Sequence, residues 1–214
     1  MLLSKMKAIA ENHLECVAED AVIAVPSYFN NEQRQDTKDA AEMAGLNVLS
    51  LINEPVAAAV CYKDSKRHLK KTCLLVLDSG AGGTSVAVIA INGSTIQVLG
   101  KGGTCEVSGD ELDSRLVKHF LPKVLKKCGP SIANSKRSME RLRLSCQDLK
   151  YRLTLMKSYT ISIESLCKDF DLVLSLSREQ FKEMCHTDFK SHLVDVIDRV
   201  LTESEILPSE IDEL

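Results

Sequence analysis

The stretch that most constrains this chain is residues 73–92, CLLVLDSGAGGTSVAVIAIN, which reads as two apolar strands folded back through a glycine-rich turn. Leu74, Leu75, Val76 and Leu77 are apolar without a break, Asp78 stands at the strand's end, and Gly80, Ala81, Gly82 and Gly83 form the bend. Thr84 opens a second strand that runs to Ile91. Glycines permit positive φ and let several N–H groups approach an anion without side chains in the way. An acid directly before such a turn is suited to a phosphate-bound Mg²⁺, usually held through water. The stretch therefore reads as a nucleotide-phosphate hairpin. An ordinary tight hairpin, with glycines for turn geometry alone, fits the same letters.

Rival phosphate motifs fit badly. A P-loop needs Lys then Ser or Thr after its last glycine, whereas Thr84 and Ser85 follow here. A dinucleotide loop opens a helix, whereas Val86, Val88, Ile89 and Ile91 are β-branched residues typical of a strand.

A net charge of −3 argues against general affinity for nucleic acid or an anionic membrane. No apolar run approaches the roughly 18 residues of a membrane span, and no signal-like apolar core follows Lys5 and Lys7, so the expectation is a cytosolic chain. The eight cysteines are far apart, with no C-x-x-C pair and no histidine at zinc-ligand spacing. They read as buried free thiols.

Residues 1–14 have a helical apolar period and no N-cap, which fits a start partway through a larger fold or a frayed natural terminus. Residues 21–25 form a short strand closed by Pro26, and a helix is expected over 31–44, capped by Asn30 with Gln33 and stopped by Gly45. A strand over 47–52 turns at Asn53-Glu54-Pro55 into a small-residue helix over 56–62. Strand, helix, strand, helix, strand is an α/β pattern. Glu54 sits at a strand-to-helix junction, where it orients a water or a metal, or only complements the helix dipole. Residues 63–71 read as a solvated basic connector without interleaved aromatics.

After the hairpin, residues 100–103 read as a loosening of the chain, and Ser108 with Glu111 has capping-box spacing. Pro122 should bend or end the helix that follows, and Gly129-Pro130 closes the region. Residues 135–153 carry an apolar face and a basic face whose acidic neighbours Glu140 and Asp148 make it a solvated one. Residues 159–166 and 170–176 form a second hairpin. Ser177 with Gln180 then caps one or two helices.

The runs AVIAVPSYFNNEQRQDTKDAAEMAGLNVLSLINEPVAAAVCY, LDSGAGGTSVAV, SGDELDSRLVKHF and RLRLSCQDLKYRL resemble successive segments of the ATPase domain of the heat shock protein 70 chaperone family. The resemblance covers nearly the whole chain in collinear order. It implies an α/β fold of the actin-like ATPase (ribonuclease-H-like) class, two lobes with ATP between them, of which this chain is the central portion, with a mixed sheet and an α+β upper subdomain. Residues 1–68 would end the first lobe, 69–107 with 188–214 would form the base of the second, and 108–187 its upper subdomain. The first phosphate hairpin, the lysine that assists hydrolysis, the last adenosine loop and the substrate-binding domain fall outside the matched portion. An actin-like or sugar-kinase relative is argued against by the INEPVAAA run.

Carried over by residue, the resemblance makes Glu54 and Asp78 the catalytic acids near Mg²⁺, with Asp78 and, through water, Glu54 serving the metal. Gly80, Ala81 and Gly82 match the second phosphate loop, with Ala81 in place of a glycine. Gly83 falls where the family has a threonine that positions the hydrolytic water, unless a one-residue slip gives that place to Thr84. Ser85 replaces an aspartate. Gly109 and Asp110 match the loop at the foot of the upper subdomain, and Gln147, Lys150, Tyr151 and Thr154 line the adenosine pocket, where Tyr151 replaces a stacking arginine.

The cofactors so implied are ATP or ADP with Mg²⁺. The implied partners, in a full-length context, are unfolded client proteins and J-domain or nucleotide-exchange cochaperones. The phosphate loop is similar to that of the ribosome-associated branch. Without the lysine and the opposite loop, the chain is expected not to turn over. A function of another class, a non-catalytic module that meets an exchange factor through residues 108–187, stands beside it.

Overall fold

The computed structural model describes residues 1–66, 71–167, 170–186 and 188–214. The expected boundary at residues 68 and 69 lies outside them, as do residue 187 and residues 67–70 of the basic connector, whose described ends are helix at 63–65 and strand at Lys71 rather than loop. The element order is α1 (Leu2–Leu14), β1 (Asp20–Val25), α2 (Asn31–Met43), β2 (Asn47–Asn53), α3 (Glu54–Ser65), β3 (Lys71–Ser79), β4 (Thr84–Asn92), β5 (Thr95–Thr104), α4 (Gly109–Cys128), a 3₁₀ turn (Pro130–Asn134), α5 (Lys136–Leu155), β6 (Ser158–Cys167), β7 (Phe170–Ser177), α6 (Arg178–His186), α7 (Asp188–Glu203) and a last 3₁₀ turn (Pro208–Glu210). Two compact units result. The first comprises residues 1–79, 83–104 and 194–214, and the second residues 80–82 and 105–193.

In the first unit the helix signals act as the sequence suggests. Asn30 Oδ1 accepts from the Gln33 amide at 2.8 Å and Gln33 Oε1 accepts from the Asn30 amide at 3.0 Å, which closes the capping box of α2. Gly45 ends that turn at φ 75°, and Pro55 sits in the first turn of α3. β1 and β2 pair in parallel, while β3, β4 and β5 form an antiparallel sheet in that order. Parallel and antiparallel pairings therefore occupy separate sheets, apart from a parallel bridge of Leu74 to Glu213 at the free edge of β3.

β4 carries the core. Val86, Val88, Ile89 and Ile91 are fully buried because both faces are covered. Ala87, Ile89 and Ile91 pack with Ala59 of α3 and Leu74, and Val86 and Val88 pack with Val196, Val200 and Leu201 of α7. A strand covered on both faces needs no polar alternation, which explains its continuous apolar run.

β5 corrects the expected loosening at residues 100–103. These residues are strand. Their glycines serve close approach: a methyl on Gly100 would lie 2.9 Å from the Val200 carbonyl and 2.9 Å from Ser204 Cβ, and one on Gly102 would lie 2.8 Å from Val200 Cγ2. Helix α7 can lie on this strand only because the side chains are absent.

The second unit is built on Leu116, Phe120 and Val124 of α4, Leu142, Cys146, Leu149 and Leu153 of α5, and the inner face of the β6–β7 hairpin, Ile161, Ile163, Leu172, Leu174 and Leu176. The basic face of α5 pairs locally, Arg143 with Glu140 and Arg152 with Asp148. Helix α4 continues through Pro122. Pro122 and Lys118, whose carbonyl loses a partner, are both exposed, so the missing bond falls on the solvent side of the helix. Gly129, at φ 79°, ends the helix instead. Ser177 and Gln180 close a second reciprocal cap at 3.0 and 3.1 Å.

The cysteine expectation holds in part. Cys146 is a buried free thiol, but Cys16, Cys61 and Cys105 are exposed and Cys128 is disulfide-bonded. Spacing along the chain does not report which thiols packing exposes or brings within bonding reach. Burial, and then the negative charge of Asp113, push the Cys146 thiol up to about 12.

Two outcomes follow from this packing. Gly100→Val should destabilise the first unit by about 2 kcal/mol, read as an earlier urea midpoint, because the added methyls meet backbone. An alkylating reagent at pH 8 should modify Cys16, Cys61 and Cys105 in the folded protein, and Cys146 only after unfolding, as peptide mapping by mass spectrometry would show.

Candidate nucleotide site

Each unit holds its own set of the expected site residues. In the first, the β3–β4 register pairs Asp78 with Ser85 and Ser79 with Thr84, leaving Gly80, Ala81, Gly82 and Gly83 as the turn. None of the three glycines there has a positive φ. The left-handed backbone expected of them is not used; a methyl on Gly82 would meet nothing within 4 Å, and space is decisive at Gly83. Gly83 shows this directly: a methyl on it would lie 2.7 Å from Cε1 and Cζ of Tyr28 and closer still to the hydroxyl.

Asp78 is half-buried, and its carboxylate has no hydrogen-bond or ion-pair partner among the described residues. Glu54, half-buried at the start of α3, accepts from Ser85 Oγ at 3.2 Å. Ser85 Oγ in turn accepts from the Ser27 amide at 3.0 Å. The result is a directed relay, Ser27 N–H to Ser85 O–H to Glu54, which fixes one carboxylate oxygen of Glu54. Thr84 is fully buried, with its Oγ1 2.9 Å from Ser79 Oγ, whereas Gly83 stands half-buried at the turn.

In the second unit the turn carbonyls are tied down. The Gly109 amide donates to Gly80 O at 3.0 Å and the Asp110 amide to Ala81 O at 2.9 Å. These are two of the donors that a helix start leaves without an intrahelical partner. The amides of Gly80 and Ala81 donate to no group among the described residues. Ser108, buried, caps α4 by accepting from the Glu111 amide at 3.1 Å. A methyl on Gly109 would lie 3.3 Å from Ala81 Cα, a tight contact, and 3.5 Å from Lys150 Nζ, an ordinary one.

Lys150 Nζ lies 2.8 Å from the Gly109 carbonyl and 2.7 Å from Asp113 Oδ1. Asp113 is 1% exposed. Lys150 thus fastens α5 to the start of α4, immediately behind the residues that hold the turn. Gln147, Lys150, Tyr151 and Thr154 follow one another at helical spacing on one side of α5, and Gln147, Tyr151 and Thr154 are exposed. Thr154 Oγ1 donates to the Tyr151 carbonyl at 2.7 Å. The Asp110 carboxylate is 4.0 Å from Arg143.

Three participants escape a reading of the sequence. Asp113 left a signal: it falls on the same helical stripe as Leu116, Phe120 and Val124, where an acid must be paired. Tyr28 and Ser27 left none, because they reach β4 from 58 residues away along the chain in the case of Ser27 and Ser85. No group of three or more His, Cys, Asp or Glu side chains able to hold a metal directly occurs among the described residues.

With this geometry in view, the comparisons decide the lineage. The model of the Hsp70 protein family matches residues 1–214. The chain belongs to the Hsp70 family. With that membership goes the actin-like ATPase fold class expected from the sequence.

A heat shock 70 kDa protein of Neurospora crassa is 38% identical over 214 residues, which is 100% of this chain and 33% of that relative. A ribosome-associated molecular chaperone SSB of Candida glabrata is 38% identical over 220 residues, 100% of this chain and 35% of the relative. A putative heat shock 70 kDa protein 7 of Homo sapiens is 37% identical over 213 residues, 100% of this chain and 58% of the relative. The chain thus spans about a third of the length of the first two Hsp70 relatives and somewhat over half of the third. No helix among the described residues is long and apolar enough to cross a membrane.

The Asp113–Lys150 pair offers a direct check. Asp113→Ala leaves a partly buried ammonium unpaired, so it should cost the second unit about 2–3 kcal/mol in urea unfolding. Leu144→Ala on the exposed side of α5, the helix that carries Lys150, should cost under about 0.5 kcal/mol.

Proposed function

We propose that this chain is the ATP- or ADP-binding portion of an Hsp70-type molecular chaperone, in which nucleotide state is coupled to protein folding. The observation that carries the reading is Asp78: a half-buried carboxylate without a partner, directly before a turn whose carbonyls are anchored and whose first two amides are unused. Those groups fit a Mg²⁺-bound polyphosphate. An unpaired carboxylate suits a hydrated cation, and amides held in place suit phosphate oxygens.

Asp78 would hold Mg²⁺ through water, with Glu54 beside it, and Gly80, Ala81, Gly82, Gly83 and Thr84 would line the phosphates. Gly109 and Asp110 hold the turn in shape. Gln147, Lys150, Tyr151 and Thr154 would meet the adenosine, with the exposed Tyr151 ring as a stacking surface. Mg²⁺, when bound, neutralises phosphate charge. What the protein's own residues do is orient: Ser85 fixes Glu54, and the amides of Gly109 and Asp110 fix the turn. In domain terms, residues 1–68 would end the first lobe, 69–107 and 188–214 would form the base of the second, and 108–187 its upper subdomain.

Hydrolysis by this chain alone is not part of the proposal. Phosphoryl transfer depends on charges positioned on every side of the phosphate, and the matched portion supplies one set. In the longer context the partners would be unfolded clients with J-domain and nucleotide-exchange cochaperones in the cytosol. The names of the SSB relatives support a ribosome-associated setting. A second reading, an interaction module for an exchange factor that works without nucleotide, is favoured by one observation: residues 105–193 contain a hydrophobic core made wholly of their own side chains.

Titration calorimetry with Mg·ADP and Mg·ATP checks the first reading. Binding should be measurable, should fall roughly tenfold in Asp78→Asn, which keeps the shape and removes the charge, and should come without steady phosphate release. Absence of binding, alongside capture of an exchange factor, would select the second reading.

A further inference from the structure

The net charge averages over a chain whose charges are segregated. Residues 114–139 hold seven Lys and Arg and no Asp or Glu, so with a net charge of −3 the remainder carries −10. The stretch runs from the second turn of α4 through the 3₁₀ turn Pro130–Asn134 into the first turn of α5, all within the second unit. Ile132 of that turn is buried in the core the two helices share, so the end of α4 and the start of α5 lie side by side.

Elsewhere on these helices the basic side chains are engaged. Arg115 pairs with Glu111, Arg143 with Glu140, Lys150 with Asp113 and Arg152 with Asp148, and Arg141 donates to the Glu164 and Ser165 carbonyls. Lys118, Lys123, Lys126, Lys127, Lys136 and Arg137 are all exposed, and none of them has an ion pair or a side-chain hydrogen bond among the described residues. The last turn of α4 suits Lys126 and Lys127, but Lys123 stands three and four residues before them, where like charges repel. Lys136 and Arg137 fill the first turn of α5, which has no acid, against the positive end of the helix dipole. Unpaired cations held at a local cost complement a polyanion outside the chain.

The kind of polyanion follows from what the patch lacks. No large apolar side chain between residues 114 and 139 is among the exposed ones. A protein interface is built round apolar anchors, and a peripheral membrane site inserts them. A phosphate backbone asks only for cations and small hydrogen-bonding groups, which the exposed Ser131 and Asn134 add. The one Phe of the stretch, Phe120, is buried and offers bases nothing to stack on.

From this charge pattern we propose that the end of α4 and the start of α5 form a contact surface for the phosphodiester backbone of a nucleic acid, bound without regard to base sequence. The acidic remainder of the chain confines the contact to a few phosphates. The inference is independent of the nucleotide reading above.

Fluorescence anisotropy of a labelled oligouridylate with the 214-residue chain tests it. Binding should weaken as salt rises, with log K falling against log[salt] at a slope of about −3 to −4 for roughly five phosphates neutralised. Oligodeoxythymidylate, with the same backbone charge, should bind comparably. The triple variant Lys126→Gln/Lys127→Gln/Lys136→Gln should flatten the slope by about 2 and bind at least about tenfold more weakly. It should melt no lower than the parent, because the charges removed are unpaired. A second triple, Lys5→Gln/Lys101→Gln/Lys157→Gln, changes the net charge equally from exposed positions outside the patch and should keep the parent's slope.

Equal losses in the two triples would overturn the proposal, because net charge and not the patch would then govern binding. So would a lower melting temperature in the first triple with an unchanged slope, or tighter capture by oligoglutamate or phosphatidylserine vesicles than by either oligonucleotide. Absence of oligonucleotide binding at low salt would overturn it outright.

Discussion

The interaction on which the rest depends is the burial of β4 on both faces. Helix α3 covers one side through Ala59 and helix α7 the other through Val196, Val200 and Leu201. A strand enclosed in this way cannot slip by one residue without exchanging its two apolar faces against differently shaped partners. Its register against β3 is therefore fixed, and with it the place where Asp78 stands and where the turn begins. The glycines of β5 belong to the same constraint, since α7 reaches the sheet only where Gly100 and Gly102 leave room.

The turn itself is shaped from two directions. Its carbonyls at Gly80 and Ala81 are held by the first amides of α4, and that helix start is braced by the buried pair of Asp113 and Lys150. At its other end Gly83 is backed by Tyr28. Among the described residues, the Asp78 carboxylate of the first unit and the Gly80 and Ala81 amides of the second have no partner. The lysine is informative here. A residue expected along an adenosine pocket has its charge engaged by Asp113 and the Gly109 carbonyl, so its first contribution is to hold α4 and α5 together.

Much of the architecture was legible beforehand, and for identifiable reasons. The Asn30–Gln33 and Ser177–Gln180 caps, the strand-helix alternation up to β3, the glycine hairpin and the β6–β7 hairpin all rest on signals a few residues long. What misled was chemistry with two uses. Glycines at residues 100–103 looked like a loosened connection, but Gly100 and Gly102 make room for a helix, and the glycines of the turn looked like a demand for positive φ, but none adopts it and Gly83 leaves space for Tyr28. Pro122 read as bending or ending the helix, and it does not end it: it lies on an exposed face of α4.

The sequence by itself determined most of the elements other than β5, the Hsp70 lineage and the acid before the turn, because propensity, capping and periodicity act between near neighbours. The relay from Ser27 through Ser85 to Glu54, the pairing of Asp113 with Lys150, and the seating of Tyr28 against Gly83 were decided only by the tertiary structure. Each joins residues far apart along the chain, and whether two such side chains meet depends on how strands and helices are stacked, which no local pattern encodes.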